Sequence, residues 1–149
     1  MGTRSFIAVK TESGYKGVYC HWDGYLSNNG RILFENYTDL ETVNKLIDGG
    51  GISSLGEIIG DKHDFDDRES GTTYYHRDRD EEWEDNKPTE VTTLFELTNT
   101  ASQCGTEYLY LFEDGKWKYA DRGAQYFGGS DGSSFRKFKK LTQKAIEKK

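Results

Sequence analysis

Residues 4–10 alternate, placing Phe6 and Ala8 on one side of an extended chain and Ile7 and Val9 on the other. Thr11-Glu12-Ser13-Gly14 interrupts the pattern as a turn, and residues 15–22 alternate again. The two runs predict a β-hairpin. Its exit reads Tyr19-Cys20-His21-Trp22-Asp23-Gly24-Tyr25, with Asp23-Gly24 breaking the strand ahead of a polar loop at 26–30. Residues 31–37 predict a short helix. Thr38-Asp39-Leu40-Glu41 has the spacing of a capping box, with Thr38 as the cap and Glu41 reaching back. Leu40, Val43, Leu46 and Ile47 then lie along one helical face, and Gly49-Gly50-Gly51 stops that helix.

Beyond this point the pattern weakens. Residues 52–59 read equally as a helical turn or a strand, 72–80 as a strand with exposed charge, and 81–87 as loop up to the boundary at Pro88. Residues 91–98 predict a strand. Residues 108–112 and 116–120 predict a hairpin about Asp114-Gly115, a strong turn signal between alternating runs. Residues 123–134 form a glycine- and serine-rich loop. Phe135, Phe138, Leu141, Ala145 and Ile146 mark the apolar face of a basic amphipathic helix at 134–148. Strands that come in hairpins predict an α+β domain: one antiparallel sheet with two or three helices packed on one face, over residues 1–149. An acidic, partly irregular insert occupies 61–89.

Composition changes this picture little. The 149 residues make one domain, long enough to bury a core without a metal or a disulfide. Only 34% are apolar, but 14% are aromatic, and large rings offset the shortage of aliphatics. Cys20 and Cys104 lack any CxxC or zinc spacing, which reads as two free thiols in a reducing cytosol and leaves one disulfide open. The first residues carry no apolar signal-like run, and no stretch approaches the roughly 18 apolar residues of a membrane helix. The expected location is the cytoplasm, with no membrane partner.

Charge is uneven, and this does change the picture. Residues 61–90 carry 12 acids against 5 bases, and residues 134–149 carry 7 bases against 1 acid, within a net charge of −6. Such asymmetry belongs either to solvated faces or to a surface for a charged partner. The basic tail includes Arg136, Lys137, Lys139, Lys140 and Lys144. An acidic remainder works against long polyanions, so direct nucleic-acid binding is not favoured.

Candidate chemistry is sparse. A thiol nucleophile needs a base within reach, yet His21 adjoins Cys20 and would face the opposite side of a strand. His63 and His76 lie among carboxylates that raise a thiol pKa. His76-x-Asp78-x-Asp80 would align three metal ligands on one strand face, with His63, Asp64, Asp66 and Asp67 near in sequence. Strand spacing of about 6.5–7 Å between such neighbours suits a single ion poorly. Gly128-Gly129-Ser130-Asp131-Gly132-Ser133-Ser134 precedes a predicted helix, but no lysine follows at P-loop spacing and Asp131 repels phosphate. These residues predict no catalytic set, no metal and no cofactor. Groups collected at a strand exit instead suggest a pocket: His21, Trp22, Asp23 and Tyr25, with Trp22 opposite the others, and Arg122 to pair with phosphate.

"TRSFIAV" together with "YCHWDGYLSNNGRILFENYTD" resembles a set of short proteins encoded by bacteriophages and prophages. The likeness is strongest over residues 3–40 and continues weakly through "ISSLGE" and "YLYLFEDGKW". It carries over no catalytic residue. It implies a virus-encoded accessory protein in the bacterial cytoplasm, and by analogy one that counters host defence. The leading expectation is a non-enzymatic inhibitor of a host defence protein or nuclease complex. Its partner surface would be Asp78, Asp80, Glu81, Glu82, Glu84 and Asp85, imitating DNA phosphates. The alternatives are a protein that sequesters a small nucleotide signal and a metal-dependent nuclease or phosphoesterase.

Overall fold

Strand β1 (Ser5–Lys10) is buried from Ser5 to Val9, and it is flanked by strands on both edges. It pairs antiparallel with β2 (Tyr15–Cys20) and parallel with β6 (Tyr108–Glu113). The computed structural model describes residues 3–67, 69–122 and 135–147. Among these, the remaining strands are β3 (Ile52–Ser54), β4 (Thr73–Tyr74), β5 (Thr89–Val91), β7 (Lys116–Asp121) and β8 (Lys139–Lys140). They form a mixed, mostly antiparallel sheet in the order β4-β3-β2-β1-β6-β7-β8, with β5 added to β2. The chain is a single α+β domain.

Both faces of the sheet are covered, not one. Ile7, Val9, Val18, Tyr110 and Trp117 pack under α1 (Arg31–Asn36), α2 (Leu40–Asp48) and α6 (Gln143–Ile146). Phe6, Ala8, Leu109 and Leu111 pack against Leu97 and Ala101 of α5 (Leu94–Gln103). An apolar residue at every position from Phe6 to Val9 is the sequence counterpart of this double burial. Two small helices, α3 (Tyr75–Arg79) and α4 (Trp83–Asn86), lie in the acidic segment. No helix among the described residues is long and apolar enough to cross a membrane.

Both expected hairpins form. At the second, Asp114 and Gly115 take φ of 55° and 75°, the left-handed pair that a tight hairpin turn requires. Elsewhere the sequence reading needs correction. Residues 91–98 are not a strand: β5 ends at Val91, and Thr93 opens α5 with a complete capping box to Glu96. The α2 cap is Asp39, which accepts from the Thr42 amide at 2.8 Å, not Thr38. Leu40, placed on the buried face of that helix, is exposed. Residues 72–80 give only the two-residue β4 before turning into α3, and 81–87 contain α4.

The predicted helix at 134–148 is also corrected within 135–147. Lys139 and Lys140 pair with Tyr119 and Lys118 as β8, and the Leu141 amide donates to the Trp117 carbonyl. Helix begins only after Thr142, whose hydroxyl caps α6. Backbone pairing to an open strand edge outweighs the helical spacing here. The glycine-rich loop expected at 123–134 lies outside the described residues.

Candidate binding site

The first candidate, the hairpin exit, is an architectural corner. β2 ends at Cys20, and the amides of both His21 and Trp22 donate to successive carbonyls of β3, Ile52 and Ser53, at 3.0 Å each. Two consecutive amides on one side break the strand alternation. The His21 and Trp22 rings therefore pack edge-to-face at 4.7 Å and not on opposite faces. His21 Nδ1 also lies 2.7 Å from the Tyr19 hydroxyl. Asp23 adopts the left-handed conformation at φ 56°.

Buried Asn29 stitches this corner together. Its amide donates to Ser5 Oγ at 3.3 Å, Cys20 Sγ at 3.4 Å and the Trp22 carbonyl at 3.2 Å. The Tyr110 hydroxyl donates to the Gly24 carbonyl at 2.6 Å. Burial pushes the Cys20 thiol up to about 12, only partly offset by Asn29, Ser5 and Trp22, so it stays protonated. Burial likewise raises Cys104, and both thiols are free. Neither has the thiolate character of a nucleophile.

Arg122 does not join His21, Trp22, Asp23 and Tyr25. It follows β7, three strand positions from β2, or roughly 14 Å across the sheet. Its guanidinium donates to the Thr106 carbonyl at 3.1 Å and the Ser102 carbonyl at 3.3 Å, and stacks on the Phe135 ring at 4.3 Å. These bonds fasten the end of α5 to the sheet.

The acidic segment folds as a lobe on the β3–β4 edge. At its centre sits Asp78, whose side chain is fully buried. Its two oxygens accept from the His63 amide at 3.0 Å and the Tyr74 amide at 2.8 Å, and from Arg77 Nε at 3.0 Å. Burial alone would raise this carboxyl. The Arg77 contact and the two amides outweigh it, and the net shift is downward. Arg77 spends its other nitrogens on the carbonyls of Thr72 at 2.7 Å, Gly60 at 2.8 Å and Ile59 at 3.3 Å. Tyr37 and Tyr74 add hydroxyl bonds to the Gly56 and Leu46 carbonyls, at 2.8 and 2.6 Å. Asp78 is therefore an anchor and is withdrawn from the surface expected to carry it.

The other expected carboxylates are displayed on this anchor. Asp80, Glu82, Glu84 and Asp85 are exposed and Glu81 half-exposed, around exposed Trp83. Lys62 reaches Asp80, Arg79 reaches Glu81 and Lys87 reaches Glu84, at 3.3, 3.3 and 2.8 Å. Glu82 and Asp85 have no cation within salt-bridge distance among the described residues. The two histidines of this lobe are engaged as well, His76 through Nδ1 to the Glu81 carbonyl at 2.7 Å. His63 Nδ1 donates to the Asp61 carbonyl at 2.8 Å, and Nε2 shares a hydrogen bond with the Thr73 hydroxyl at 3.0 Å. No group of three histidine, cysteine or acidic side chains among the described residues could hold a metal ion.

A cleft of about 340 Å³ opens where the sheet divides beside this lobe. β5 pairs with β2 at Gly17 and β3 pairs with it at Cys20, so Val18 and Tyr19 have no strand neighbour on that edge. Phe6, Tyr19 and Tyr75 give the cleft aromatic walls, and Glu81, Asp85 and Lys87 line it with charge. Gly17 is required here: a Cβ would lie 2.4 Å from the Phe6 ring, which covers the strand at this point. Of the residues that line this cleft, the sequence reading singles out Glu81 and Asp85 as surface carboxylates and Tyr19 as a group at the strand exit; it does not single out Tyr75 or Gly17, or the anchoring role of Asp78. A glycine inside an alternating strand was the one available signal. No family model, curated protein or solved structure matches the chain.

Proposed function

We propose that the chain is a non-enzymatic, phage-encoded accessory protein of the bacterial cytoplasm that binds a basic surface on a host defence protein. The carrying observation is the lobe itself: exposed carboxylates held on a buried Arg77–Asp78 anchor, with Glu82 and Asp85 uncompensated. An acidic stretch that were only solvated surface would not need three backbone carbonyls, from two segments, tied to one half-buried guanidinium beside a fully buried carboxylate. Fixing the carboxylates before binding lowers the ordering cost that a floppy acidic tail would carry. The likeness of residues 3–40 to short phage proteins supplies the biological setting, and a basic nuclease groove is the partner type that such a surface fits.

The nucleotide-sequestering alternative is less well supported, because Arg122 is bonded to carbonyls away from the Trp22 corner. The metal-dependent nuclease is disfavoured by the occupied ring nitrogens of His63 and the buried, fully bonded Asp78.

The test is capture from a host lysate on immobilised wild-type chain and on the Glu81→Lys/Glu82→Lys/Glu84→Lys variant. The wild type should retain a specific protein at low salt and release it as salt rises, since screening shortens with ionic strength. The variant should retain none. Equal retention by both, or by neither, would refute the reading.

A further inference from the structure

We infer that the cleft beside β2 receives a single basic side chain of the partner, arginine above lysine. This rests on the proposed acidic binding surface and adds to it a defined insertion point. Three features converge. The walls are aromatic, with the half-buried Tyr19 and Tyr75 available to the flat face of a guanidinium and buried Phe6 behind them. The rim carries Glu81 and Asp85, against one cation, Lys87, which is already bound to Glu84 at 2.8 Å. Glu81 already pairs with Arg79 at 3.3 Å, but Asp85 has no cation within salt-bridge distance among the described residues. Finally, the sheet edge opens between Gly17, which pairs with β5, and Cys20, which pairs with β3, so the cleft is a gap between two strands and not a flat surface.

Size agrees with this occupant. Pockets for whole small molecules run from roughly 300 to 1,000 Å³, and about 340 Å³ falls at the low end. The acidic rim also repels nucleotides and other anions. Arginine is preferred to lysine because its planar head can stack on a ring while donating sideways to a carboxylate. The lobe already shows this arrangement within the chain: the Arg79 guanidinium lies 5.0 Å over the Phe65 ring while Nε pairs with Glu81 at 3.3 Å, and Phe65 in turn packs 5.8 Å from Tyr75.

The experiment is an NMR titration of the full chain with N-acetyl-arginine amide, and in parallel with N-acetyl-citrulline amide, its neutral isostere. Arginine should produce saturable shifts at the amides of Gly17, Val18, Tyr19 and Tyr75. Citrulline should bind about tenfold or more weakly, as should arginine to the Glu81→Gln/Asp85→Asn variant. Equal shifts from both probes would overturn the inference, because charge would not be what is recognised. Shifts confined to Glu82 and Glu84 would overturn it as well, while leaving the acidic surface intact as a binding face. If arginine shifts nothing and the lysate yields no charge-dependent partner, the inference and the reading beneath it fail together.

Discussion

The β1–β6–β7 core and the acidic lobe are held by different physics. In the core, Ile7, Leu109, Tyr110 and Leu111 lie buried between helical layers, and their contribution follows apolar area removed from water. In the lobe, one buried ion pair and a few hydroxyl–carbonyl bonds hold long irregular segments in place. Burial is insensitive to partner identity and tolerant of detail. A buried pair is stringent: it stabilises only while both members and all their bonds are present. The part of the molecule that displays charge is thus the part whose order depends on charge.

The sharpest way to break the comparison is Asp78→Ala. It strands Arg77 and two amides, and should cost about 3–5 kcal/mol. Hydrogen exchange should show amides 72–80 losing protection while β1 and β6 keep theirs. Ile7→Ala removes buried volume beneath the sheet and should cost about 2–5 kcal/mol. Its loss should appear everywhere at once, as a lower Tm with lobe and core melting together. If the two variants give the same exchange pattern, the distinction between regions is wrong.

Titration should separate the regions at the acid end of the pH scale. Asp78 is depressed in the folded state, so its stabilisation is present above the ordinary carboxylate value near 4 and is lost as pH falls through the folded value. In the core, burial raises Cys20 to about 12 and Tyr110 well above its ordinary value. Their contribution is complete below the unfolded thiol and phenol values and is lost as pH rises toward the folded ones. Acid should therefore loosen the lobe first, with amide exchange at pH 3 as the check, whereas base should loosen core and lobe together, because burial also raises Tyr37 and Tyr74, whose hydroxyls hold the lobe. A smaller effect is expected from Thr93→Ala, which removes the α5 capping box at a cost of about 1 kcal/mol by denaturant melts.

The same contrast governs what was legible in the sequence. The β1–β2 hairpin and the Asp114-Gly115 turn announce themselves because period-two burial and left-handed turn residues are local signals. The α5 helix was hidden because Val91, Thr92 and Thr93 read as strand, although Thr93 and Glu96 already held capping-box spacing. The tail misled because Lys139 and Lys140 are ruled by the exposed edge of β7, a partner distant in sequence. At the site, nothing in Tyr75-His76-Arg77-Asp78-Arg79-Asp80 tells which aspartate is buried. That choice is made by the His63 and Tyr74 amides through the fold. Exposed Glu82 and Asp85, by contrast, were read correctly as surface from low apolar content alone.

The central claim is that the displayed carboxylates act on a host defence partner, and phage plating tests it most directly. Bacteria carrying nuclease-based defences would express either the wild-type chain or the Glu81→Lys/Glu82→Lys/Glu84→Lys variant, and plaques would be counted on each. Surface reversals of this kind should cost the fold within about 0.5 kcal/mol each, verified by an unchanged circular dichroism spectrum. The account predicts that the wild type restores plating against at least one defence and that the folded variant does not. Equal restoration by the two proteins, or none by the wild type across the panel, would contradict it.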